Sequence, residues 1–357
     1  MATIRDVARL AGVSPSTASR ALRGNPVISA KTRQRVETAM RQLNYVPNFS
    51  AQNLANNENN TIVVIFPVDH HEIFTNPFFL QALQGINAKS TERNFMVAIA
   101  TGISQQQLLA NVEFMLARGR INRFILLYSQ LHDPVVTLLQ QNQVGYVVIG
   151  KPMATAGPLP PYIDTDNLAA GRDATQFLLA HGHRQIAFLY TDLTKIVQQE
   201  RLAGFKQVMA QQQLPSLSLR EDFIDYTQSH QHVTAFLQQH PQITAFVTSD
   251  DLLGLRLQQI VSKKMSIISF NNSFASQVAH PSLTSIDVFP VQLGEGAAEL
   301  ALQLDQPTAK LQPIIVPHQI VVRHSVRDLT AQTEENLNYA YLFLNLNENA
   351  ATPSFYL

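Results

Sequence analysis

The stretch GVSPSTASRAL, residues 12–22, decides how the front of this 357-residue chain is read. Gly12 stands between two amphipathic segments, where a helix ends most easily on a residue that accepts the left-handed conformation. Ser14 can cap the second segment, and Pro15 at its first helical position sacrifices no hydrogen bond. Val13, Ala18, Ala21 and Leu22 then face inward, leaving Pro15, Ser16, Thr17, Ser19 and Arg20 near the N-terminus and outer face. Upstream, Thr3 with Asp6 at capping-box distance opens a helix whose apolar stripe is Ile4, Val7, Ala8 and Leu10. Downstream, a third helix follows Ser29 and buries Val36, Ala39, Met40 and Leu43. Two short helices across a tight turn, braced by a third, make a helix-turn-helix. Its second helix is basic and edged with small hydroxyls, as a major groove requires. Arginine reaches guanine with two hydrogen bonds, and Ser or Thr serves bases or phosphates. The alternative is a three-helix packing module with no nucleic-acid partner.

Charge separates this head from the body of the protein. Residues 1–60 hold eight basic against three acidic side chains, net +5, and the rest of the chain holds 18 against 23, net −5. A basic head on an acidic body implies that the head alone meets a polyanion. An apolar fraction of 45% is that of a globular protein, and the length allows two or three domains. The absence of cysteine excludes disulfides, Cys-ligated zinc and thiol catalysis, and fits a reducing compartment. The start MATIRDVARLAG carries charges where a signal peptide needs an apolar run, and no window is apolar enough to span a membrane. The expected location is the cytoplasm.

Beyond the polar run NNENNT, the character of the sequence changes. TIVVIFPV, FMVAIATG, RFILLYSQ, VGYVVIG, QIAFLYTD, ITAFVTSD and SIISFNNS read as buried strands between amphipathic segments. Continuous apolar strands alternating with helices indicate parallel sheets covered on both faces. The expected fold is α/β, with two such sheets forming two lobes. The second lobe begins near Thr165, and the chain crosses back near Asp287 and Ile320. Ligands of such folds sit beyond the carboxyl ends of the strands, here the cleft between lobes.

Enzymatic signatures are missing: there is no GxSxG elbow, no phosphate loop ending in GK[ST] and no HExxH. His70-His71 and His181-Gly182-His183 are the close histidine groups, and the latter reads as a helix end before a strand rather than a metal site. Asp164 and Asp166 could form an acid/base pair, but they read as a loop between lobes, where solvation or hinge bonding is expected. Neither a metal nor a cofactor is expected.

The run TIRDVARLAGVSPSTASRAL, followed by VISAKTRQRVETAMRQLNYVPN, closely resembles the head of the LacI family of bacterial transcription regulators. The segment from Asn48 to Ala55 resembles that family's hinge helix, and the likeness continues to about Arg327. The resemblance implies a helix-turn-helix domain over 1–47 and a hinge and linker over 48–60. It also implies a two-lobed, periplasmic-binding-protein-like effector and dimerisation domain over 61–328, before a tail over 329–357. Pro15, Ser16 and Arg20 match base-contacting positions, and Thr17, Ser19 and Asn25 match positions touching phosphates or neighbouring bases. Leu54 matches a wedge inserted into the minor groove, where an apolar side chain unstacks and kinks the duplex. In the body, Phe78, Phe79, Arg201, Asp250 and Asn271 match effector positions, and Lys151 and Asp192 are added because they follow strand ends.

Aromatic rings beside Arg, Asp and Asn suit a sugar, whose C–H face stacks while its hydroxyls hydrogen-bond. The stretches TNPFFLQALQGI, VVIGKP, TSDDLLGL and ISFNNS look most like maltose-responsive repressors of the family. The implied function is a non-enzymatic, sequence-specific repressor of carbohydrate genes. It acts as a homodimer on double-stranded operator DNA and is controlled by maltose or a related glucoside. The alternatives are a global regulator answering a phosphorylated carrier protein and a pure sugar receptor. Two departures stand out. LLGLRLQQIVSKKMSIISF is shorter than usual, which puts the geometry around Asp250 and Asn271 in question. The tail lacks the heptad leucines of a tetramerising segment, so a dimer is expected.

Overall fold

The computed structural model describes residues 2–22, 25–45, 60–68, 76–119, 121–153, 159–304 and 311–330. Arg23, Leu54 with most of the hinge, His70, His71 and the tail beyond Thr330 lie outside the described residues. The chain divides into two compact units, residues 1–60 and 61–357.

In the first unit, short-range capping builds three helices: α1 (Ile4–Ala11), α2 (Pro15–Leu22) and α3 (Ala30–Gln42). The Thr3 hydroxyl accepts the Asp6 amide while the Asp6 carboxylate accepts the Thr3 amide at 3.0 Å, a complete capping box. Gly12 ends α1 at φ 61°, and Ser14 accepts the Thr17 amide at 3.1 Å to open α2. Ser29 accepts the Thr32 amide at 3.3 Å to open α3. The core is small: Val7, Ala8, Ala11, Ala18, Ala21, Val36 and Ala39. The expected inward position of Leu10 is corrected, because it is 51% exposed and Ala11 takes its place. The helical repeat that starts at Ile4 passes through Val7 and Ala8 to residue 11. The Arg35 guanidinium donates to the carbonyls of Ala11 and Gly12, tying α3 to the turn.

The second unit has two lobes. The first contains β1 (Thr61–Ile65), α4 (Pro77–Glu92), β2 (Met96–Ala100), α5 (Gln105–Gly119), β3 (Arg123–Leu126), α6 (Pro134–Gln141), β4 (Gly145–Ile149) and β5 (Tyr162–Thr165). The second contains α7 (Asn167–Ala180), β6 (Ile186–Tyr190), α8 (Ile196–Gln211), β7 (Leu217–Arg220), α9 (Tyr226–Gln239) and β8 (Ala245–Thr248). It continues through α10 (Asp251–Gln258), β9 (Ser266–Phe270), α11 (Phe274–Val278) and β10 (Thr284–Asp287). The chain then returns to the first lobe as α12 (Pro290–Leu302) and β11 (Ile314–Val316), and closes on the second as β12 (Gln319–Val321). The sheet orders are β11-β5-β4-β3-β1-β2 and β12-β10-β9-β8-β6-β7. Every neighbouring pair is parallel except β10 with β12.

The strands buried along their length, such as β8 and β9, are the ones expected from apolar runs. β5, β7 and β10 have four residues each, with polar side chains among them, and β11 and β12 have three, so none carries an apolar run as long as those of the main strands. The short segment between Asp251 and Ser266 still completes a parallel β8–β9 pair, so the two strand ends stay adjacent. Each lobe is clamped by one glycine-paired helix crossing. A Cβ on Gly85 or Gly294, where α4 meets α12, would lie 2.0 Å from a backbone carbonyl oxygen of the other helix. At the α7–α8 crossing, Gly171 and Gly204 would each meet a carbonyl at 2.2 Å. Among the described residues no helix is long and apolar enough to cross a membrane.

Candidate functional site

The head presents its candidate residues on one short helix. Pro15, Ser16 and Arg20 are exposed, whereas Thr17 and Ser19 are half-buried beside the Ala18 and Ala21 core face. Ser14 fixes the start of α2, its hydroxyl 2.9 Å from that of Ser16 and 2.8 Å from that of Thr17. Asn25 belongs to the turn after α2: its side-chain oxygen accepts the Val27 amide at 3.0 Å. An exposed arginine and three hydroxyls on one helix are suited to base edges and phosphates.

In the body, one cavity opens where the carboxyl ends of both sheets meet. Phe78, Phe79, Arg201, Asp250 and Asn271 all line it, together with Asp164, Asn167 and Ser249. Asn76 caps α4 by accepting the Phe78 amide at 3.1 Å, and this places Phe78 edge-on to Phe79 with ring centres 5.6 Å apart. Phe79 is also a member of the core, so the aromatic wall is anchored rather than free to swing. The α7–α8 glycine crossing sets the height of Arg201, since the Arg201 carbonyl is the atom against Gly171.

A polar chain links the lobes through Arg201. The Asp164 carboxylate, at the end of β5, accepts the Thr165 amide at 2.8 Å and the Asn167 side-chain amide at 3.0 Å. Asn167 in turn accepts Nε of Arg201 at 2.9 Å, and Nη1 of Arg201 donates to the Ser249 carbonyl at 2.6 Å. The guanidinium stacks 4.2 Å above the Phe270 ring. Burial pushes the Asp164 carboxyl up to about 7 and draws Arg201 down to about 10, while the neighbouring acids Asp164, Asp250 and Asp251 favour the charged guanidinium. Asp250 caps α10 by accepting the Leu253 amide at 2.8 Å. Asp251, one residue on, is engaged by the protein itself: it accepts the Ser285 hydroxyl at 2.6 Å and the Ser273 amide at 2.6 Å, and burial pushes it up to about 6. Asn271 turns the chain after β9 at φ 97°, a conformation unusual for a residue with a Cβ.

Lys151 and Asp192 are not among the residues lining the cavity. Lys151 bridges the lobes at the rim through Glu200, 2.9 Å away, next to an antiparallel bridge between Gln130 and Lys195. Asp192 forms a turn, accepting the Thr194 amide at 2.8 Å and the Thr194 hydroxyl at 2.7 Å. The loop assignment of Asp164 and Asp166 is corrected: Asp164 is the penultimate residue of β5, and Asp166 caps α7 through the Ala169 amide at 2.8 Å. Asn167 and Ser249 are site residues that the sequence reading misses. Asp164 and Asn167 bracket the same kind of polar strand end as TSDD and SFNN, but the four-residue strand before them has no apolar run to mark it. His183 is structural: it is buried, 2.9 Å from the Thr244 hydroxyl, and its Nε2 donates to the Arg327 carbonyl at 3.1 Å. Among the described residues no three His, Cys, Asp or Glu side chains are grouped to hold a metal ion.

Residues 3–48 match the model of bacterial regulatory proteins of the lacI family, and residues 175–326 match the periplasmic binding protein-like domain. The chain is 33% identical to the HTH-type transcriptional regulator MalR of Staphylococcus xylosus over 337 residues, covering 91% of this chain and 98% of that one. The solved lac repressor dimer bound to operator and the anti-inducer ONPF superposes with a TM-score of 0.73 at 25% identity, covering 91% of this chain and 99% of the repressor chain. The CelR–cellobiose complex gives a TM-score of 0.68 at 25% identity, with 91% and 100% coverage. The basic helix-turn-helix, the two-lobed body and these likenesses over nine-tenths of the length lead to one conclusion: the chain belongs to the LacI family of bacterial regulatory proteins.

Proposed function

We propose that this regulator represses carbohydrate-utilisation genes and that its cleft ligand is maltose or a related glucoside. The observation that carries this reading is the cleft itself, where Phe78 and Phe79 supply a flat apolar wall beside Arg201, Asp250 and Asn271. That combination suits a saccharide, and a MalR relative and a cellobiose-bound structural neighbour support it. Pro15, Ser16 and Arg20 read bases of an operator, Thr17, Ser19 and Asn25 hold its backbone, and Leu54 of the hinge wedges the minor groove.

The active form is a homodimer, whose two heads match a near-palindromic operator. Exposed Leu80 on α4 and exposed Met96 and Ile99 on the edge strand β2 offer an apolar surface for the partner copy. Control is a population shift, because a ligand moves an equilibrium only by binding one lobe arrangement better than the other.

The test is fluorescence anisotropy on a palindromic duplex from the upstream region of the protein's own gene, at several salt concentrations, with and without maltose. Steep salt dependence and a maltose-driven change in affinity are expected, and the direction of that change distinguishes induction from corepression. Operator binding that ignores every sugar and depends on a phosphorylated carrier protein would transfer control to that partner.

A further inference from the structure

Two groups in the cleft lie outside the set of strand-end residues that the family likeness marks, and both are nearly sealed from solvent. Ser249 is 2% exposed, and its hydroxyl oxygen is buried without a hydrogen-bond partner among the described residues, although the residue lines the cavity. Asp164 is 7% exposed, lines the same cavity from the opposite lobe, and has its Oδ1 held by Thr165 and Asn167 while its carboxylate also accepts the Lys151 backbone amide. A buried hydroxyl left unpaired costs free energy that a ligand hydroxyl would recover. The cation of the site, Arg201, is already engaged by Asn167, the Ser249 carbonyl and the Phe270 ring, with Asp164, Asp250 and Asp251 around it. An incoming phosphate would meet those acids and a guanidinium whose donors are partly spent, whereas a neutral hydroxyl meets an acceptor and a donor in place.

We propose that Asp164 and Ser249 form a hydroxyl-reading pair, one from each lobe, that selects an uncharged saccharide and discriminates against phosphorylated sugars. The inference rests on the cleft being a saccharide site, but not on which saccharide occupies it. It also explains how a small ligand senses the lobe arrangement: the pair closes on one molecule only when both lobes are at the right separation.

The test is calorimetric titration of the full chain and its Ser249→Ala and Asp164→Asn variants with maltose, cellobiose and maltose 6-phosphate. The neutral sugar that binds the wild type should lose about 10-fold in affinity with Ser249→Ala, the order expected for one lost hydrogen bond. The melting temperature of that variant without ligand should not fall, because the deleted hydroxyl has no protein partner among the described residues. Asp164→Asn should weaken the neutral sugar by at least about 10-fold and narrow its advantage over the phosphorylated one. Binding of cellobiose in place of maltose would overturn maltose as the ligand and leave this inference standing. Wild-type preference for maltose 6-phosphate, or neutral-sugar affinity unchanged within about 2-fold in both variants, would overturn the inference even if maltose is the ligand.

Discussion

The head and the body solve the problem of placing a few polar side chains in opposite ways. The head has a core of alanines and valines and relies on local devices: the Thr3 capping box, the left-handed Gly12, the Ser14 and Ser29 caps. The residues proposed to read DNA are consecutive or nearly so on one helix. The body buries large side chains such as Phe188, Phe205, Phe246 and Phe270, and assembles its cleft from residues far apart in sequence. Local placement is robust to changes elsewhere, while distributed placement depends on how closely two backbones approach. Each unit is therefore vulnerable in a different place: the head at its turns, the body at its helix crossings.

The severest challenge to this contrast is Gly171→Ala. A Cβ there would sit 2.2 Å from the Arg201 carbonyl, so α7 and α8 must separate and carry the guanidinium with them. A loss of about 3 kcal/mol or more from the body, together with loss of ligand binding, is expected, while the head retains its folding transition. Differential scanning calorimetry and ligand titration read both effects. An unchanged body transition would show that the crossing is not the vulnerable point.

Next in size is the pH response of the body. Asp164 is held near 7 and Asp251 near 6 by burial, so their contributions are fully present below the ordinary carboxylate pKa and are lost as pH rises through those values. His183 is lowered to about 4 by burial, so its contribution is present above its ordinary 6.5 and is lost as pH falls toward 4. These opposing slopes flatten the stability of the body between roughly pH 4 and 7. Asp164→Asn removes one falling contribution, so the variant should gain on the wild type by an amount on the order of 2 kcal/mol as pH rises across that window. Melting curves that stay parallel for the two proteins at about pH 4.5, 5.5 and 7.5 would rule this out.

In the head, Gly12→Ala forces a left-handed residue to carry a Cβ that would lie 2.7 Å from an Arg35 guanidinium nitrogen. About 1–2 kcal/mol should be lost from the head alone, with operator affinity reduced and ligand binding by the body intact. Circular dichroism melts of the chain and anisotropy on operator DNA read the two separately.

Smallest is Lys151→Ala. Its ion pair with Glu200 has a half-exposed lysine, so stability should change by less than about 1 kcal/mol. The pair joins the two lobes of the body, so its loss should alter the dependence of operator binding on ligand more than it alters melting.

The three head helices, the exposed polar face of α2, the long parallel strands and the polar residues that close β8 and β9 were all legible in the amino-acid order. Capping boxes, left-handed glycines and apolar strand runs are signals contained within a few residues, so they can be read without knowing what lies opposite. Leu10 marks the edge of that reading, since its exposure and the burial of Ala11 turn on one step of helical register. It took the folded chain to bring Asp164, Asn167, Arg201 and Ser249 into one polar chain across the lobes. Folding equally left Lys151 and Asp192 outside the cavity lining. The physical reason is that β5 is too short and too polar to announce itself, and that Arg201 reaches its partners only because two glycines let α7 and α8 touch backbone to backbone.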